Sequence, residues 1–218
     1  MTFDVLMDEQ RSEAWKRARL GRLTGSRAKD MLATIKSGEA AARRDYRLEL
    51  VCERLTGELA EETGFASKDM QRGIELEPAA FAAYEAATGH MVRRTGFLSC
   101  REALAGTSLD GDVDGFTGVI ELKCPRPANH LRYLRAGVLP HEHEAQILHA
   151  LWVTGAQWAD FASFSPVFPE PLRLFVTRVP RDEAAIDAYA RQALAFLAEV
   201  ETETSSLLGW QAMNGVSA

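Results

Sequence analysis

Apolar and polar positions change their spacing partway along the chain. Up to Gly89, apolar side chains recur every three or four residues, which is the spacing of an amphipathic helix. Four segments therefore predict helices: SEAWKRARLG, LTGSRAKDMLATI, RRDYRLELVCERLTG and ELEPAAFAAYEAATGH. Ser12 is the expected N-cap of the first helix. Glycines are the expected ends of three of them: Gly21, Gly57 and Gly89.

Three local features refine these helices. The third helix carries an apolar stripe that we expect to be buried, at Leu48, Val51, Cys52 and Leu55. The fourth is expected to place Pro78 in its first turn, where the missing N–H of proline costs nothing. Between the second and third helices, the segment KSGEAA predicts a mobile linker.

After Gly89 the apolar segments become short and are separated by Gly, Ser and Asp, which is typical of strands and turns. MVRRTGFLS, LAGTSLDGDVDG and GVIELKCP predict an antiparallel meander of three strands. Further on, HEHEAQILHALWVTG predicts a helix, AQWADFASFS and LRLFVTRVP predict two strands, and RDEAAIDAYARQALAFLAEVETE predicts a long helix. This order predicts an α/β (α+β) fold, with one central mixed sheet flanked by helices, in a single domain over 1–218.

Charge is distributed unevenly. The net charge is -6, which by itself argues against non-specific nucleic-acid binding. Between Arg11 and Arg47, however, eleven Lys and Arg residues face only four acidic ones, so that residues 1–57 form a basic helical N-terminal lobe. Solvated helix surfaces and a surface that binds a polyanion both explain this lobe.

Composition bounds the class of protein. Hydrophobic residues make up 46% and charged residues 26%, an ordinary balance for a soluble globular domain. No apolar run reaches about 18 residues, and the N-terminus lacks a secretory pattern, so we expect neither a membrane span nor export. Three scattered cysteines without a CxxC pair argue against a disulfide framework, a zinc ribbon or an iron–sulfur cluster. A reducing cytoplasm is the expected location.

The segment SLDGDVDGFTGVIELKCP allows two interpretations. Asp110, Asp112, Asp114, Gly115 and Glu121 match the calcium loop of an EF-hand at every specified position. The same residues also suit a β-hairpin whose second strand carries Glu121. An EF-hand needs a helix on each side of its loop, whereas a hairpin needs none.

The flanking residues decide against the EF-hand. Pro125 and Pro127 follow the loop closely, and proline in a helix interior costs about 3 kcal/mol, so no exit helix is expected there. Gly106 and Thr107 make the preceding segment a poor entry helix. The pattern also occurs once, without the usual partner hand.

The hairpin interpretation places chemistry on one face of a strand. Period-two alternation directs Ile120, Leu122 and Cys124 to one side, and Glu121 and Lys123 to the other. Asp110 is expected on the adjacent strand, close to the charged side. Two converging carboxylates need a cation between them, and oxygen ligands select Mg²⁺ or Mn²⁺. Such a site suits metal-aided hydrolysis of a phosphodiester, while the alternative is an exposed hairpin with solvated charges.

At this point the sequence resembles a known family. SLDG…VIELKCP resembles the D-x(n)-E-x-K core of the PD-(D/E)xK nuclease superfamily, and is most similar to its phage lambda exonuclease / YqaJ-like recombinase branch. Leu109 replaces the proline that usually precedes the aspartate. Three further motifs match in the family's order: WKRARLGRLTGS, Gly73 with Glu77 in a G-x3-E helix, and Gln146 in HEAQILHALWVTG.

The resemblance implies a restriction-endonuclease-like core and a role for each matching residue. Asp110 and Glu121 would be direct metal ligands, the main-chain carbonyl of Leu122 would complete the set, and Lys123 would be the catalytic lysine. Glu77 is implied near the metal, through a water, and its alternative is an acid that favours a helix N-terminus. Gln146 is implied to orient the water or the scissile phosphate, and its alternative is a polar residue on a helix flank.

The resemblance also implies DNA-binding residues. Arg19 and Ser26 match the pocket that grips a terminal 5′-phosphate, a role that suits a guanidinium and a hydroxyl. Arg43, Arg44 and Arg47 are candidates for DNA contact or strand separation, with a solvated helix face as the alternative. Asp112 and Asp114 are interpreted as turn residues, with outer-shell metal ligation as the alternative.

The activity implied is that of a Mg²⁺-dependent enzyme, with Mn²⁺ as a substitute, in a bacterial host cell. It would degrade one strand of linear double-stranded DNA from 5′ to 3′ and leave 3′ overhangs for phage-type recombination. The family implies a ring of three identical subunits and a phage-type single-strand annealing protein as partner. The alternatives are a structure-selective or site-specific endonuclease on the same core, and a non-enzymatic calcium- or DNA-binding module.

Overall fold

Runs of helices and runs of strands follow one another along the chain in the computed structural model, which describes residues 2–7, 10, 12–59 and 68–214. The helices of these residues are α1 (Glu13–Arg19), α2 (Ala28–Met31), α3 (Ala41–Thr56), α4 (Lys68–Thr88), α5 (Pro127–Ala136), α6 (His141–Thr154) and α7 (Glu183–Asn214). The strands are β1 (Phe3–Leu6), β2 (Leu23–Thr24), β3 (Phe97–Cys100), β4 (Ala105–Ser108), β5 (Gly111–Val113), β6 (Gly118–Lys123), β7 (Trp158–Phe164) and β8 (Leu174–Pro180).

The strands form two four-stranded mixed sheets, in the orders β1-β3-β4-β2 and β5-β6-β7-β8. The pairs β2–β4 and β6–β7 are parallel and the other pairs are antiparallel. The α/β class is thus confirmed, although the strands divide into two sheets where the sequence predicted one. The division falls at Leu109 and Asp110, which link β4 of the first sheet to β5 of the second.

Two apolar clusters hold the sheets and helices together. The larger joins α3, α6 and α7 to both sheets, and includes Tyr46, Leu98, Val119, Trp152 and Phe196. The smaller packs α4 against the second sheet, through residues that include Phe81, Tyr84, Ile120, Leu122 and Phe164. Strand β6 therefore lies between the two clusters and contributes to both.

Most of the predicted helices are confirmed. The hydroxyl of Ser12 accepts a hydrogen bond of 3.2 Å from the N–H of Trp15 and caps α1. Gly57 ends α3 and Gly155 ends α6, both in the left-handed conformation that glycine adopts without strain. The last helix, α7, is longer than predicted. No helix among the described residues combines the length and apolarity needed to cross a membrane.

Two predicted helix starts are wrong. The segment expected as the second helix begins as strand β2, because Leu23 pairs with Ala105 and Thr24 with Gly106, and only then forms a 3₁₀ turn and the short α2. The KSGEAA segment lies in the irregular connection that follows. Pro78 lies inside α4 and not in its first turn, because the helix starts ten residues earlier, at Lys68.

The buried face of α3 also differs from the predicted stripe. Leu48 and Leu55 are 40% and 38% exposed, and Cys52 is exposed as well. The buried positions are Tyr46, Leu50, Val51 and Glu53. Packing against α7 determines this face, since the ring of Tyr46 stacks on Phe196 with centroids 5.6 Å apart.

Two elements were not predicted. Strand β1 pairs antiparallel with β3, and α5 follows the end of β6 by only a few residues. The prediction that no helix follows the two prolines is wrong, because Pro127 occupies the first turn of α5, where proline is tolerated. The EF-hand is nevertheless excluded, because the residues of its loop form the β5–β6 hairpin.

Candidate active site

Strand β6 separates its side chains as the alternation predicts. Ile120, Leu122 and Cys124 pack into the cluster beneath α4. Burial raises the pKa of the Cys124 thiol to about 11, so that it stays protonated. Glu121 and Lys123 point to the opposite face, where Glu121 is only 4% exposed. An acidic side chain so deeply buried needs a positive partner.

Asp110 lies in the link between the two sheets, and a hydrogen bond holds its side chain against β6. The N–H of Leu122 donates to the carboxylate Oδ2 of Asp110 at 2.6 Å. The β5–β6 ladder ends at the pair Gly111 and Ile120, so this side chain takes the place of a backbone acceptor one step further on. Asp110 is therefore fixed close to Glu121, as predicted, although it lies just before β5 and not on the adjacent strand itself.

The pKa values of Glu121 and Lys123 depend on each other's charge and on the charge of Asp110. Burial raises the pKa of Glu121 to about 7, with a further increase from Asp110, against the lowering effects of Lys123 and of a hydrogen bond from Gln146. The Lys123 ammonium contacts the Glu121 carboxylate. Burial alone would lower the pKa of Lys123, but the charges of Glu121 and Asp110 raise it above its ordinary value.

A cavity of about 380 Å³ opens over this group. Its lining includes Asp110, Leu122 and Lys123 from the hairpin, and Glu77, Asn129, Tyr133 and His143 from the surrounding helices. Glu77 forms an ion pair with Arg94, with 3.3 Å between the two groups. Of the four residues predicted for catalysis, Asp110 and Lys123 line this cavity together with Glu77. Glu121 contacts Lys123, and Gln146 forms a hydrogen bond with Glu121.

The donor set fits a hard divalent cation. Two carboxylates, Asp110 and Glu121, lie close enough for one to raise the pKa of the other, so a cation between them would relieve their repulsion. Within the described ranges, no three side chains of His, Cys, Asp and Glu lie together in a way that could hold a metal. A cation bound here would need an uncharged oxygen ligand as well, the role predicted for the Leu122 carbonyl.

The remaining aspartates of the hairpin have structural partners. Asp112 is buried, forms two hydrogen bonds of 2.9 and 3.1 Å with Arg93, and accepts another of 3.2 Å from the N–H of Phe116. Asp114 lies in the turn with a φ of 50°. Asp114 thus agrees with its interpretation as a turn residue. The same interpretation is wrong for Asp112, which lies within strand β5 and pairs with Val119.

A second cavity, of about 200 Å³, is lined by Arg19 and Ser26. The guanidinium of Arg19 lies 4.2 Å over the ring of Trp15. Arg19 and Trp15 both donate hydrogen bonds to the hydroxyl of Ser108, at 3.3 and 3.0 Å. Ser108 precedes Asp110 by two residues, so the residue that contacts Arg19 is close along the chain to the aspartate that lines the first cavity.

The three arginines predicted as candidate DNA contacts are engaged within the chain. Arg43 pairs with Glu39 at 2.6 Å and with Glu199 of α7 at 2.8 Å. Arg47 pairs with Glu39 at 3.1 Å and contacts Glu203 of α7. Arg44 pairs with its neighbour Asp45 at 2.8 Å. These contacts favour the alternative interpretation, and a role in DNA contact stays a prediction.

Tyr133 lines the first cavity, and Ser108 contacts Arg19 and Trp15; neither was singled out from the sequence. Of the two histidines in HEHE, His141 is exposed, whereas His143 stacks on Phe161 with centroids 4.8 Å apart and lines the cleft. Burial and the charge of Lys123 lower the pKa of His143 to about 4. Side chains two residues apart on a helix point to different sides, which is why only one of these two histidines faces the cleft.

The fold and the site together define the class of protein. A buried glutamate beside an aspartate and a lysine, at the end of a β-hairpin in a mixed α/β fold, is the arrangement of a PD-(D/E)xK nuclease. Comparison with known proteins gives the family: residues 14–157 match the YqaJ-like viral recombinase domain. The chain belongs to this family.

Solved structures agree with this assignment. An alkaline exonuclease (LHK-Exo) from Laribacter hongkongensis is 38% identical, with a TM-score of 0.81, over 93% of this chain and 99% of that chain. LHK-Exo in complex with dAMP has a TM-score of 0.83 at the same identity and coverage. A phage-related exonuclease from Haemophilus somnus 129PT shares the fold, with 16% identity and a TM-score of 0.65, over 85% of this chain and 96% of that chain. None of the curated proteins compared matches the chain.

Proposed function

We propose that this protein is a Mg²⁺-dependent 5′→3′ exonuclease that degrades one strand of linear double-stranded DNA. The 3′ overhangs that it leaves would serve phage-type recombination by strand annealing in the bacterial cytoplasm. Family membership and the 38% identical alkaline exonuclease support a nuclease that acts in recombination. The metal, the polarity and the product are the further content of the proposal.

One observation carries the choice of an exonuclease: the contact of Arg19 and Trp15 with Ser108. It joins the cavity lined by Arg19 and Ser26 to the strand end that carries Asp110. A guanidinium and a hydroxyl suit a terminal phosphate. A DNA end held there would lie next to the cleavage residues, as removal of terminal nucleotides requires.

The residues of the cleft divide the chemistry between them. A divalent cation, when bound, would polarise the phosphodiester and favour ionisation of an attacking water. Asp110, Glu121 and the Leu122 carbonyl would hold this cation, with Glu77 in its outer sphere. Lys123 would offset the charge that develops on the phosphate, and Gln146 would orient the water.

The proposal includes a homotrimeric ring and a phage-type single-strand annealing protein as partner. Both rest on the family resemblance alone. A ring around its substrate would explain continued digestion with a chain whose net charge is -6, because only the inner surface needs to be basic.

Digestion of end-labelled DNA tests the polarity and the metal. A linear duplex with 5′-phosphates, labelled at the 5′ or the 3′ end of one strand, is incubated with Mg²⁺, with Mn²⁺ or with a chelator. We expect early release of the 5′ label with either metal and none with the chelator. Release that begins at the 3′ end, or digestion in the chelator, would contradict the proposal.

A covalently closed circular duplex serves as the control substrate. We expect it to stay intact, because it offers no end for the Arg19 cavity. Cleavage of the circle would favour the alternative endonuclease, and tight Ca²⁺ binding without any Mg²⁺-dependent cleavage would favour a non-enzymatic module.

A further inference from the structure

The cavity proposed to hold a DNA end is formed by two segments joined by one short loop, which includes the two residues of strand β2. Arg19 is the last residue of α1, and Ser26 lies in the 3₁₀ turn after β2. Residues 20–25 connect them, so the path of this loop sets the distance between the guanidinium and the hydroxyl. A displacement of about 1 Å in such a pair is enough to weaken recognition strongly.

Helix α3 holds the first part of this loop through the backbone N–H and the backbone carbonyl of Gly21. The N–H of Gly21 donates to the carboxylate of Glu53 at 2.7 Å, and its carbonyl accepts from Nε of Arg54 at 3.0 Å. The φ of Gly21 is +65°, and a Cβ there would lie 2.8 Å from Cγ of Arg54. The loop and α3 are therefore in direct contact at a position that only glycine suits.

The second part of the loop is held by the hydroxyl of Tyr46, also on α3. This hydroxyl accepts from the N–H of Thr24 at 3.1 Å and donates to the carbonyl of Arg22 at 3.4 Å. The Tyr46 ring is buried against Phe196, and the guanidinium of Arg27 lies 4.2 Å from its centroid. Packing of the ring against these two side chains thus fixes the hydroxyl.

Packing of α3 against the loop does not by itself require a buried carboxylate. Glu53 is 6% exposed, and a buried carboxylate is expensive to desolvate. An apolar side chain would fill the same space at a lower cost. The carboxylate is instead directed at a backbone N–H of the loop between Arg19 and Ser26, both of which line the cavity together with Tyr46 and Glu53.

We infer that Glu53 and Tyr46 are positioning residues for the recognition of a 5′-phosphorylated DNA end. They act through the backbone of residues 21–24, which they hold so that Arg19 and Ser26 face the same phosphate. The inference rests on the proposed function, because it assigns a device to the end-binding cavity proposed above. It predicts a defect in end preference, and not in cleavage itself.

The test compares kcat/KM on linear duplexes with 5′-phosphate and with 5′-hydroxyl ends. For Glu53→Ala, we expect the phosphate-to-hydroxyl ratio to fall about tenfold, mainly through KM on phosphorylated ends. Glu53→Gln is expected to keep most of the ratio, because its amide oxygen still accepts from the Gly21 N–H. Tyr46→Phe should lower the ratio as well, since it removes only the hydroxyl.

A matched control separates this effect from general destabilisation. Asp160 is a buried carboxylate that pairs with Arg178 at 2.8 Å, in the second sheet. Asp160→Asn is expected to lower the melting temperature and to leave the ratio unchanged. If Glu53→Ala does not fold, Tyr46→Phe decides the outcome, because it retains the buried ring.

The outcomes distinguish this inference from the proposal on which it rests. A ratio near one in the unmodified protein would overturn the end-binding cavity, and the positioning role with it. A high ratio that falls in Arg19→Ala but stays unchanged in both Glu53→Ala and Tyr46→Phe would overturn the positioning role alone.

Discussion

The backbone N–H of Leu122 donates a hydrogen bond of 2.6 Å to the carboxylate of Asp110. This bond links the last residue before β5 to the strand that carries Glu121 and Lys123. It forms where the backbone ladder of the hairpin has ended, so the aspartate side chain both completes the sheet and faces the cleft. One carboxylate thus has a structural and a chemical role.

The two roles can be separated by Asp110→Asn. The amide oxygen can still accept from Leu122, so we expect the melting temperature to change by only a few degrees. The negative charge is lost, so we expect Mg²⁺ or Mn²⁺ binding to weaken below detection by calorimetric titration. Cleavage should fall by about a thousandfold or more, because the cation supplies much of the electrostatic stabilisation.

Asp114→Asn is the matched control for Asp110→Asn. Asp114 lies on the same hairpin in a left-handed turn conformation, which asparagine also adopts readily. We expect metal binding and cleavage to be retained. Equal losses in the two variants would contradict the separate roles given to the two aspartates.

Lys123→Met tests whether the lysine acts in cleavage and not in DNA affinity. Methionine keeps much of the side-chain volume but removes the ammonium that contacts Glu121. We expect single-turnover cleavage to fall by about a hundredfold to a thousandfold. DNA affinity, measured by fluorescence anisotropy, should change little, because one of many positive charges is lost. A parallel loss of affinity and rate would argue against a catalytic role.

Strand β6 was predictable because its signals are local. Alternation over Ile120, Glu121 and Lys123 needs only the period of a strand, and the loop before it is rich in glycine and aspartate. The position of α5 was missed for a related reason. Pro127 was weighed as a residue in a helix interior, although it stands at a helix start.

The buried face of α3 could not be predicted from its own residues. Tyr46 is buried because Phe196 lies against it, and the two are far apart in sequence. The same holds for Arg43 and Arg47, whose partners Glu199 and Glu203 lie on α7. A basic cluster in the sequence therefore became, in part, an intrachain contact between α3 and α7.

This pairing predicts the behaviour of a double substitution of Arg43 and Arg47 to alanine. We expect the free energy of unfolding in urea to fall by about 1 kcal/mol, as for a partly exposed network of ion pairs. The salt dependence of DNA binding should stay unchanged if neither guanidinium contacts phosphate. A slope that decreases by one or two would support the alternative role in DNA contact.

Arg44→Ala serves as the control on the same helix. Its side chain is exposed and pairs only with the adjacent Asp45 among the contacts described. We expect no measurable change in stability. If Arg44→Ala instead reduces the salt dependence, the exposed face of α3 is the surface that meets DNA.

The buried imidazole of His149 makes the stability of the folded protein depend on pH. His149 is enclosed between Tyr189, whose hydroxyl is 2.7 Å from Nδ1, and the carbonyl of Gly106, 2.9 Å from Nε2. Burial, assisted by the charge of Arg19, lowers the pKa of His149 to about 4 from an ordinary 6.5. Between these values the unfolded chain binds a proton that the folded chain does not, so stability falls as the pH falls through this window.

The loss attributable to His149 is about 3 kcal/mol at most, and His143 adds its own contribution because its pKa is lowered to about 4 as well. His149→Gln keeps a donor and an acceptor but does not titrate. Urea unfolding at pH 7.5, 6 and 5 should therefore show a lower stability at pH 7.5 and a shallower decline towards pH 5. His141→Gln, at a side chain that is 94% exposed, should leave the decline unchanged. A decline in His149→Gln as steep as in the unmodified protein would show that other groups control the acid sensitivity.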